Sequence, residues 1–183
     1  FPLLLTNPGK QVLTTQLTFA DHQYDNYNQW FRPSTSTLAI ESGRTGEASQ
    51  DYSKSSLHSL EWITNYSNSF GDHNLKVMAG YSYQYNKYSG LNASNKDFPN
   101  DALEDNNLGS GTFAKDEGEV DMGSYMNDNK LIAFFGRVSY DWKGRYMMTA
   151  SLRHEGSSKF GKNYKWGNFP AVSFGWRISD EPF

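Results

Sequence analysis

The segment Phe134–Pro182 alternates, turns and alternates again, and this constrains the chain more than any other feature. Ile132, Phe134, Val138, Tyr140 and Trp142 make one apolar or aromatic face, with Gly136 its only gap. Arg137, Ser139 and Asp141 fall on the other. After Lys143-Gly144 the pattern resumes, with Tyr146, Met148, Ala150 and Leu152 opposing Thr149, Ser151 and Arg153. Period 2 sends successive side chains to opposite faces of a strand. A tight glycine turn between two such runs predicts a hairpin.

Turn chemistry divides the rest of the chain in the same way. Leu3–Leu5 reads as the end of a strand, followed by the turn cluster Thr6-Asn7-Pro8-Gly9-Lys10. From Gln11 to Tyr24, Leu13, Thr15, Leu17 and Phe19 oppose Thr14, Gln16 and Thr18. From Leu57 to Ser69, Leu60, Trp62 and Tyr66 oppose Ser59, Glu61 and Asn65. Phe70-Gly71-Asp72-His73 is a short turn. From Asn74 to Tyr88 the alternation is clearest: Leu75, Val77, Ala79, Tyr81, Tyr83 and Tyr85 against Lys76, Gly80, Ser82, Gln84 and Asn86. Asn26–Ser56, Lys87–Asn129 and His154–Lys165 read as long polar loops, and Trp166–Ile178 as the last strand. The fold class expected is all-β, an antiparallel up-and-down meander with hairpins centred on Gly71 and Gly144.

Short and long connections alternate strictly in this reading, as in outer-membrane barrels with short periplasmic turns and longer extracellular loops. Composition fits, although mean hydropathy is -0.74. No run approaches the ~18 consecutive apolar residues of a spanning helix, which excludes a helical membrane protein. A barrel strand needs only ~9–11 residues, apolar at alternate positions, so its signal is weak. Aromatic residues make up 16% of the 183, and they suit pleated strands. A net charge of -3 argues against nucleic-acid binding. With Cys at 0, disulfides, thiolate catalysis and Cys-ligated metals are excluded. The chain begins and ends inside a pattern, without initiator Met or signal peptide, so it is expected to be a piece of a larger protein.

Motifs for chemistry are nearly absent. His154-Glu155 lacks the second His of a metalloprotease helix. Gly156-Ser157-Ser158 and Gly109-Ser110-Gly111-Thr112 match neither a nucleophile elbow nor a phosphate loop, and read as turns. His22, His58, His73 and His154 lie far apart and near strand ends, so no zinc site is expected. No catalytic, cofactor-binding or metal residue is assigned, and no substrate-binding residue can be named. Charge is distributed unevenly. Asp97, Asp101, Glu104, Asp105, Asp116, Glu117, Glu119, Asp121 and Asp128 face Lys115 alone, and bases dominate from Lys130 to Lys165. The bland reading, favoured here, is a solvated acidic loop beside strands whose bases line a lumen and meet lipid headgroups. Calcium or partner docking is the other reading, though the spacing does not fit an EF-hand. Trp30, Phe31, Phe98, Phe113, Tyr125 and Tyr164 are the loop aromatics that could stack on sugar rings.

The blocks FGRVSYDWKGRY, TASLRHEGSSKFG and KWGNFPAVSFGWRIS and the closing DEPF resemble the SusC/RagA-like TonB-dependent outer-membrane transporters of Bacteroidetes. The resemblance covers most of the chain. It is strongest from Leu131 onward, fair from Leu57 to Leu108 and weakest from Phe1 to Ser34. It implies a segment, residues 1–183, of a large transmembrane β-barrel of about 22 strands around a plugged lumen, with the plug and remaining strands absent. It also implies import of oligosaccharides or peptides, driven by a TonB complex through parts missing here, with a SusD-type surface lipoprotein as lid. It implies no cofactor and no bond chemistry. The loops bearing Trp30, Asp105 and Lys159 would face outward. Trp142 and Tyr146 would sit at the periplasmic interface in outer-membrane lipid, and Tyr83 and Tyr85 in the outer aromatic girdle. Two rival readings are a soluble all-β carbohydrate-binding module and a passive porin-type barrel. The module would cover Leu75, Val77, Ala79 and Tyr81 with a second layer, whereas a barrel leaves them to lipid.

Overall fold

Alternation becomes pleated sheet throughout the chain. The computed structural model describes residues 2–7, 11–118 and 121–182, with side chains from residue 11 onward. Its strands are β1 (Pro2–Asn7), β2 (Gln11–Arg32), β3 (Glu47–Phe70), β4 (His73–Lys96), β5 (Asp121–Trp142), β6 (Tyr146–Ser157) and β7 (Trp166–Trp176). They form one seven-stranded sheet in sequence order. Pairing is antiparallel, with Leu5 opposite Leu13, Val138 opposite Ala150 and Ala150 opposite Val172. This is the expected meander. The expected turn at Pro8-Gly9-Lys10 lies outside the described residues. Among the described residues no helix is long and apolar enough to cross a membrane.

Both expected hairpins form at their glycines. Gly71 turns between β3 and β4 with φ +58°, and Gly144 between β5 and β6 with φ +65°. Lys143 precedes Gly144 with φ +57°, so both central residues of the turn closed by Arg145 N–H on the Trp142 carbonyl (3.0 Å) have positive φ. Such primed turns match the right-handed twist of the strands they join. The Asp141 carboxylate accepts from Gly144 N–H at 3.1 Å, and Lys143 N–H donates to the Asp72 carbonyl at 2.7 Å. The second bond joins the two neighbouring turns.

Two compact units divide the chain: Phe1–His22, Leu57–Asn86 and Asn129–Phe183 in the first, Gln23–Ser56 and Lys87–Asp128 in the second. In the first unit, side-chain contacts show the two faces of the sheet. Tyr81 packs on Phe134, with ring centroids 5.2 Å apart, so odd positions of β4 share a face with even positions of β5. Trp62 Nε1 donates to Thr15 Oγ1 (2.7 Å), placing both on one face. Strand register then carries the apolar face through Leu152, Val172 and Phe174. The opposite face holds Thr149 Oγ1 bonded to Ser139 Oγ (3.1 Å), and Arg153 over the Phe135 ring. Phe135 lies across Gly80, where any Cβ would overlap its ring.

Among the described residues no second layer covers the apolar face. Phe134 is 51% exposed, Val172 72% and Phe174 71%. Among the described residues the buried apolar side chains are Ala39, Ala48, Phe98 and Ala133, and of these only Phe98 is large. A soluble module of this size would bury such a stripe, because each large side chain removed from water stabilises by about 1.5–3 kcal/mol.

The strands differ from expectation in length. Asn26–Ser56 and Lys87–Asn129 were expected as loops, yet β2 runs on to Arg32, β3 begins at Glu47, β4 reaches Lys96 and β5 begins at Asp121. The true connections are residues 33–46 and 97–120. Beyond Asp21 and Tyr85 polar residues fall on both faces of these strands, with aromatics such as Tyr24, Tyr27, Trp30 and Phe31 scattered among them, so the alternation that marks a half-apolar strand disappears while pairing continues. β3 and β4 have 24 residues each, or roughly 80 Å at ~3.3 Å per residue. β6 and β7, with 12 and 11 residues, have lengths close to a single bilayer crossing.

Ala79 and Ser82 lie on opposite faces of β4, and only Ala79 belongs to the apolar one. In the full receptor, Ala79→Lys should impair assembly more than Ser82→Lys, since a cation facing mid-bilayer costs ~2–4 kcal/mol. Heat-modifiable migration of barrels in isolated outer membranes measures this. Equal folded fractions would reject the face assignment.

Candidate functional site

The second unit is built around two connections that hold each other by acid–amide contacts. Residues 33–46 contain a single helical turn, α1 (Thr37–Ser42), capped by Ser36 Oγ accepting from Ala39 N–H (3.2 Å) and ended by Gly43 at φ +68°. Residues 97–120 contain a 3-10 segment, Glu104–Ser110, and a short helix, α2 (Phe113–Asp116). Asp101 binds the first connection: both carboxylate oxygens accept from Ser34 N–H (3.1 Å each), and Oδ2 accepts from Ser34 Oγ at 2.8 Å. Asp97 accepts from Arg44 Nη1 (2.7 Å) and Thr45 N–H (3.1 Å). Asp105, 4% exposed, accepts from Gln50 Nε2 at 3.3 Å. Phe98, Ala39 and Ala48 form the small apolar centre.

These contacts correct the view of this segment as simply solvated. Asp97 and Asp101 are structural acceptors tying the two connections together, and Asp105 ties the second of them to β3. Among the described residues no group of three or more His, Asp or Glu could hold a metal ion. Glu119 lies outside them. Asn95 organises the base of the segment, though its sequence context does not mark it out. Its Nδ2 donates to the carbonyls of Leu108 (2.9 Å) and Gly111 (2.8 Å), and its Oδ1 accepts from Ala114 N–H (3.2 Å). Only the general habit of Asn to replace backbone partners in turns could have suggested it.

The aromatic candidates separate. Trp30 and Phe31 lie in β2 and Tyr125 in β5, not in loops as expected. Phe98 is buried and unavailable to a ligand. Phe113 is flanked by the Arg44 guanidinium (4.2 Å) and the Lys96 ammonium (5.1 Å). Tyr125 packs on Tyr88, and Trp30 lies under Arg32. Tyr164, 82% exposed, is the most open of them. Three of the histidines make local contacts. His58 faces Asp21 (3.1 Å) and stacks on Tyr85, His73 stacks on Phe70, Tyr140 and Trp142, and His154 stacks on Trp166.

In the first unit the short-turn end of the apolar face is aromatic. Trp142 stacks on Tyr146, and Tyr146 on Trp176, across three adjacent strands. The chain leaving β7 folds back so that Glu181 accepts from Tyr146 Oη (2.6 Å), Trp176 Nε1 (3.0 Å) and Arg145 Nη1 (3.0 Å). Hydrogen bonds from Tyr146 and Trp176, with the Arg145 charge adding to them, hold its carboxyl below the ordinary range despite desolvation. These contacts position the chain that leaves β7.

Residues 5–181 match the family model described as TonB dependent receptor-like, beta-barrel. The chain belongs to this family. Its members are outer-membrane proteins, so the uncovered apolar face has lipid as its solvent. The sequence is 33% identical over 153 residues to TonB-dependent receptor P3 of Formosa agariphila, covering 84% of this chain and 15% of that protein. It is 42% identical over 60 residues to TonB-dependent receptor SusC of Bacteroides thetaiotaomicron, covering 33% of this chain and 6% of SusC. Among solved structures, that of the RagAB peptide transporter superposes with TM-score 0.76 at 20% identity, over 97% of this chain and 19% of that one. The likeness there is one of fold.

Two outcomes follow from this geometry. Asp101→Ala leaves the Ser34 amide and hydroxyl unpaired, at a local cost of about 1–3 kcal/mol. Hydrogen exchange should then rise across residues 33–46 while β6 and β7 keep their protection. Glu181, with its carboxyl pKa depressed in the folded state, contributes stability that is present above the unfolded carboxylate pKa and lost as pH falls through the folded one. Amides of residues 177–181 should lose protection on acidification in the wild type. In Glu181→Gln that acid-dependent loss should be absent.

Proposed function

We propose that this chain is a wall segment of an outer-membrane active transporter that imports oligosaccharides or peptides, driven by a TonB complex contacting parts of the receptor outside this segment. A SusD-type surface lipoprotein closes over the barrel as a lid. The observation that carries the reading is the uncovered apolar face backed by a polar face, on a meander whose short turns and long connections alternate. Such a sheet is stable where one side meets lipid and the other a polar lumen. The wall supplies shape, lumen groups and loop contacts, and performs no bond chemistry.

On this reading, the stack of Trp142, Tyr146 and Trp176 lies at the periplasmic interface, where amphipathic rings are favoured. Tyr83 and Tyr85 belong to the outer girdle. Residues 33–46, 97–120 and 158–165 face outside the cell. The family match to TonB-dependent receptors disfavours a passive porin, and the uncovered stripe disfavours a soluble module.

The test is to replace residues 97–120 in the full receptor by a short Gly/Ser linker. Barrel insertion should remain near the wild-type level, while lid co-purification or substrate uptake falls. Unchanged uptake with unchanged lid association would remove this segment from the transport mechanism.

A further inference from the structure

The connection between β6 and β7 carries an unbalanced positive charge. Lys159, Lys162 and Lys165 lie on it, and Lys130 lies at its base. No acidic residue occurs between Glu155 and Asp180, and Glu155 is already paired with Arg153. Among the described residues none of these four lysines has an ion-pair partner. Phe160 (61% exposed), Tyr164 and Trp166 (50% exposed) stand among them.

The segment is ordered by its own bonds. Ser158 N–H donates to the Lys130 carbonyl (2.9 Å), and Lys130 N–H donates to Ser158 Oγ (2.8 Å). Ser157 N–H donates to the Lys165 carbonyl (2.9 Å), and Tyr164 N–H to the Gly161 carbonyl (2.9 Å). Lys130 shares the even-numbered face of β5 with Phe134, and its ammonium lies 5.6 Å from the Tyr85 ring centre. Trp166, opposite Gly156 in the ladder, lies flat on His154 at 4.6 Å. Cations and amphipathic rings thus border the long-connection end of the lipid-facing stripe.

We propose that Lys130, Lys159 and Lys162, with Phe160, Tyr164 and Trp166, form a docking surface for the phosphorylated glycolipid headgroups of the outer leaflet. Lysines near an anionic membrane surface attract it electrostatically, and Trp and Tyr favour headgroup depth. Unpaired ammonium groups beside a stripe immersed in lipid meet phosphates first. The inference rests on the outward orientation of the long connections given above.

The test uses the full receptor in detergent and fluorescently labelled rough lipopolysaccharide, with its dephosphorylated form as control, read by anisotropy. The wild type should bind the phosphorylated glycolipid more tightly, and binding should weaken in high salt. K130Q/K159Q/K162Q should bind on the order of a hundredfold less tightly. K159Q/K162Q, whose side chains are exposed, should show a smaller loss in the same direction even if the threefold variant fails to fold. Wild-type affinity in folded variants, or equal affinity for the dephosphorylated form, would overturn the proposal. Retained glycolipid binding with lost lid association would reassign the surface to a protein contact and overturn it too. A membrane-impermeant maleimide on intact cells expressing Lys162→Cys separates the two readings. Labelling with unaltered lipid affinity rejects the lipid surface alone, whereas absence of labelling rejects the outward orientation as well.

Discussion

An unbroken backbone ladder is the constraint on which the rest of this structure depends. Lipid offers no hydrogen-bond partners, so each amide and carbonyl at membrane depth must find its partner in a neighbouring strand. The ladder in turn enforces period 2, and a slip of one residue would exchange the two faces completely. Register is therefore fixed by side chains as much as by turns. Phe135 lying over Gly80 holds β5 against β4 on one face, and Tyr81 against Phe134 holds them on the other. At the turn end, Trp142, Tyr146 and Trp176 continue the same function across β5, β6 and β7.

The membrane-facing half of the fold was legible because lipid imposes a composition on alternate positions. Leu75 to Tyr85, Phe134 to Trp142 and Tyr146 to Leu152 reveal strand, face and hairpin together, and Gly71 and Gly144 mark the reversals. Outside lipid that pressure disappears. Between Tyr88 and Lys96, and between Asp121 and Lys130, no solvent difference separates the faces, so continuous strand has the composition of a loop. The short spacing of β6 and β7 was readable for the complementary reason: each barely exceeds the apolar band.

The acidic segment shows a different limit. Its carboxylates are spaced like surface charge, and sequence gives no sign that Asp101 reaches Ser34 or that Asp97 reaches Arg44 and Thr45. Those partners lie far away in sequence and come together only when β2–β4 are paired. Asp97 itself has φ +61°, a left-handed conformation that Asp tolerates better than most residues. The family resemblance carried the functional reading further than residue chemistry did, because the segment carries no recognisable catalytic motif.

Strand extension changes what the long connections can be. A connection of the length first expected, Lys87–Asn129, would carry a large ordering cost at about 1–2 kcal/mol per residue for its backbone. Most of that cost is offset once β4 continues to Lys96 and β5 begins at Asp121, because those residues are fixed by ladder pairing. What remains, residues 97–120, is short enough for a few strong contacts to hold: the Asp97 and Asp101 acceptors, the Asn95 amide and buried Phe98. Binding residues mounted on a scaffold of this kind lose less entropy on meeting a partner than residues on a free loop. Ladder pairing and these contacts together explain why Phe113 is held between Arg44 and Lys96 instead of moving freely in solvent.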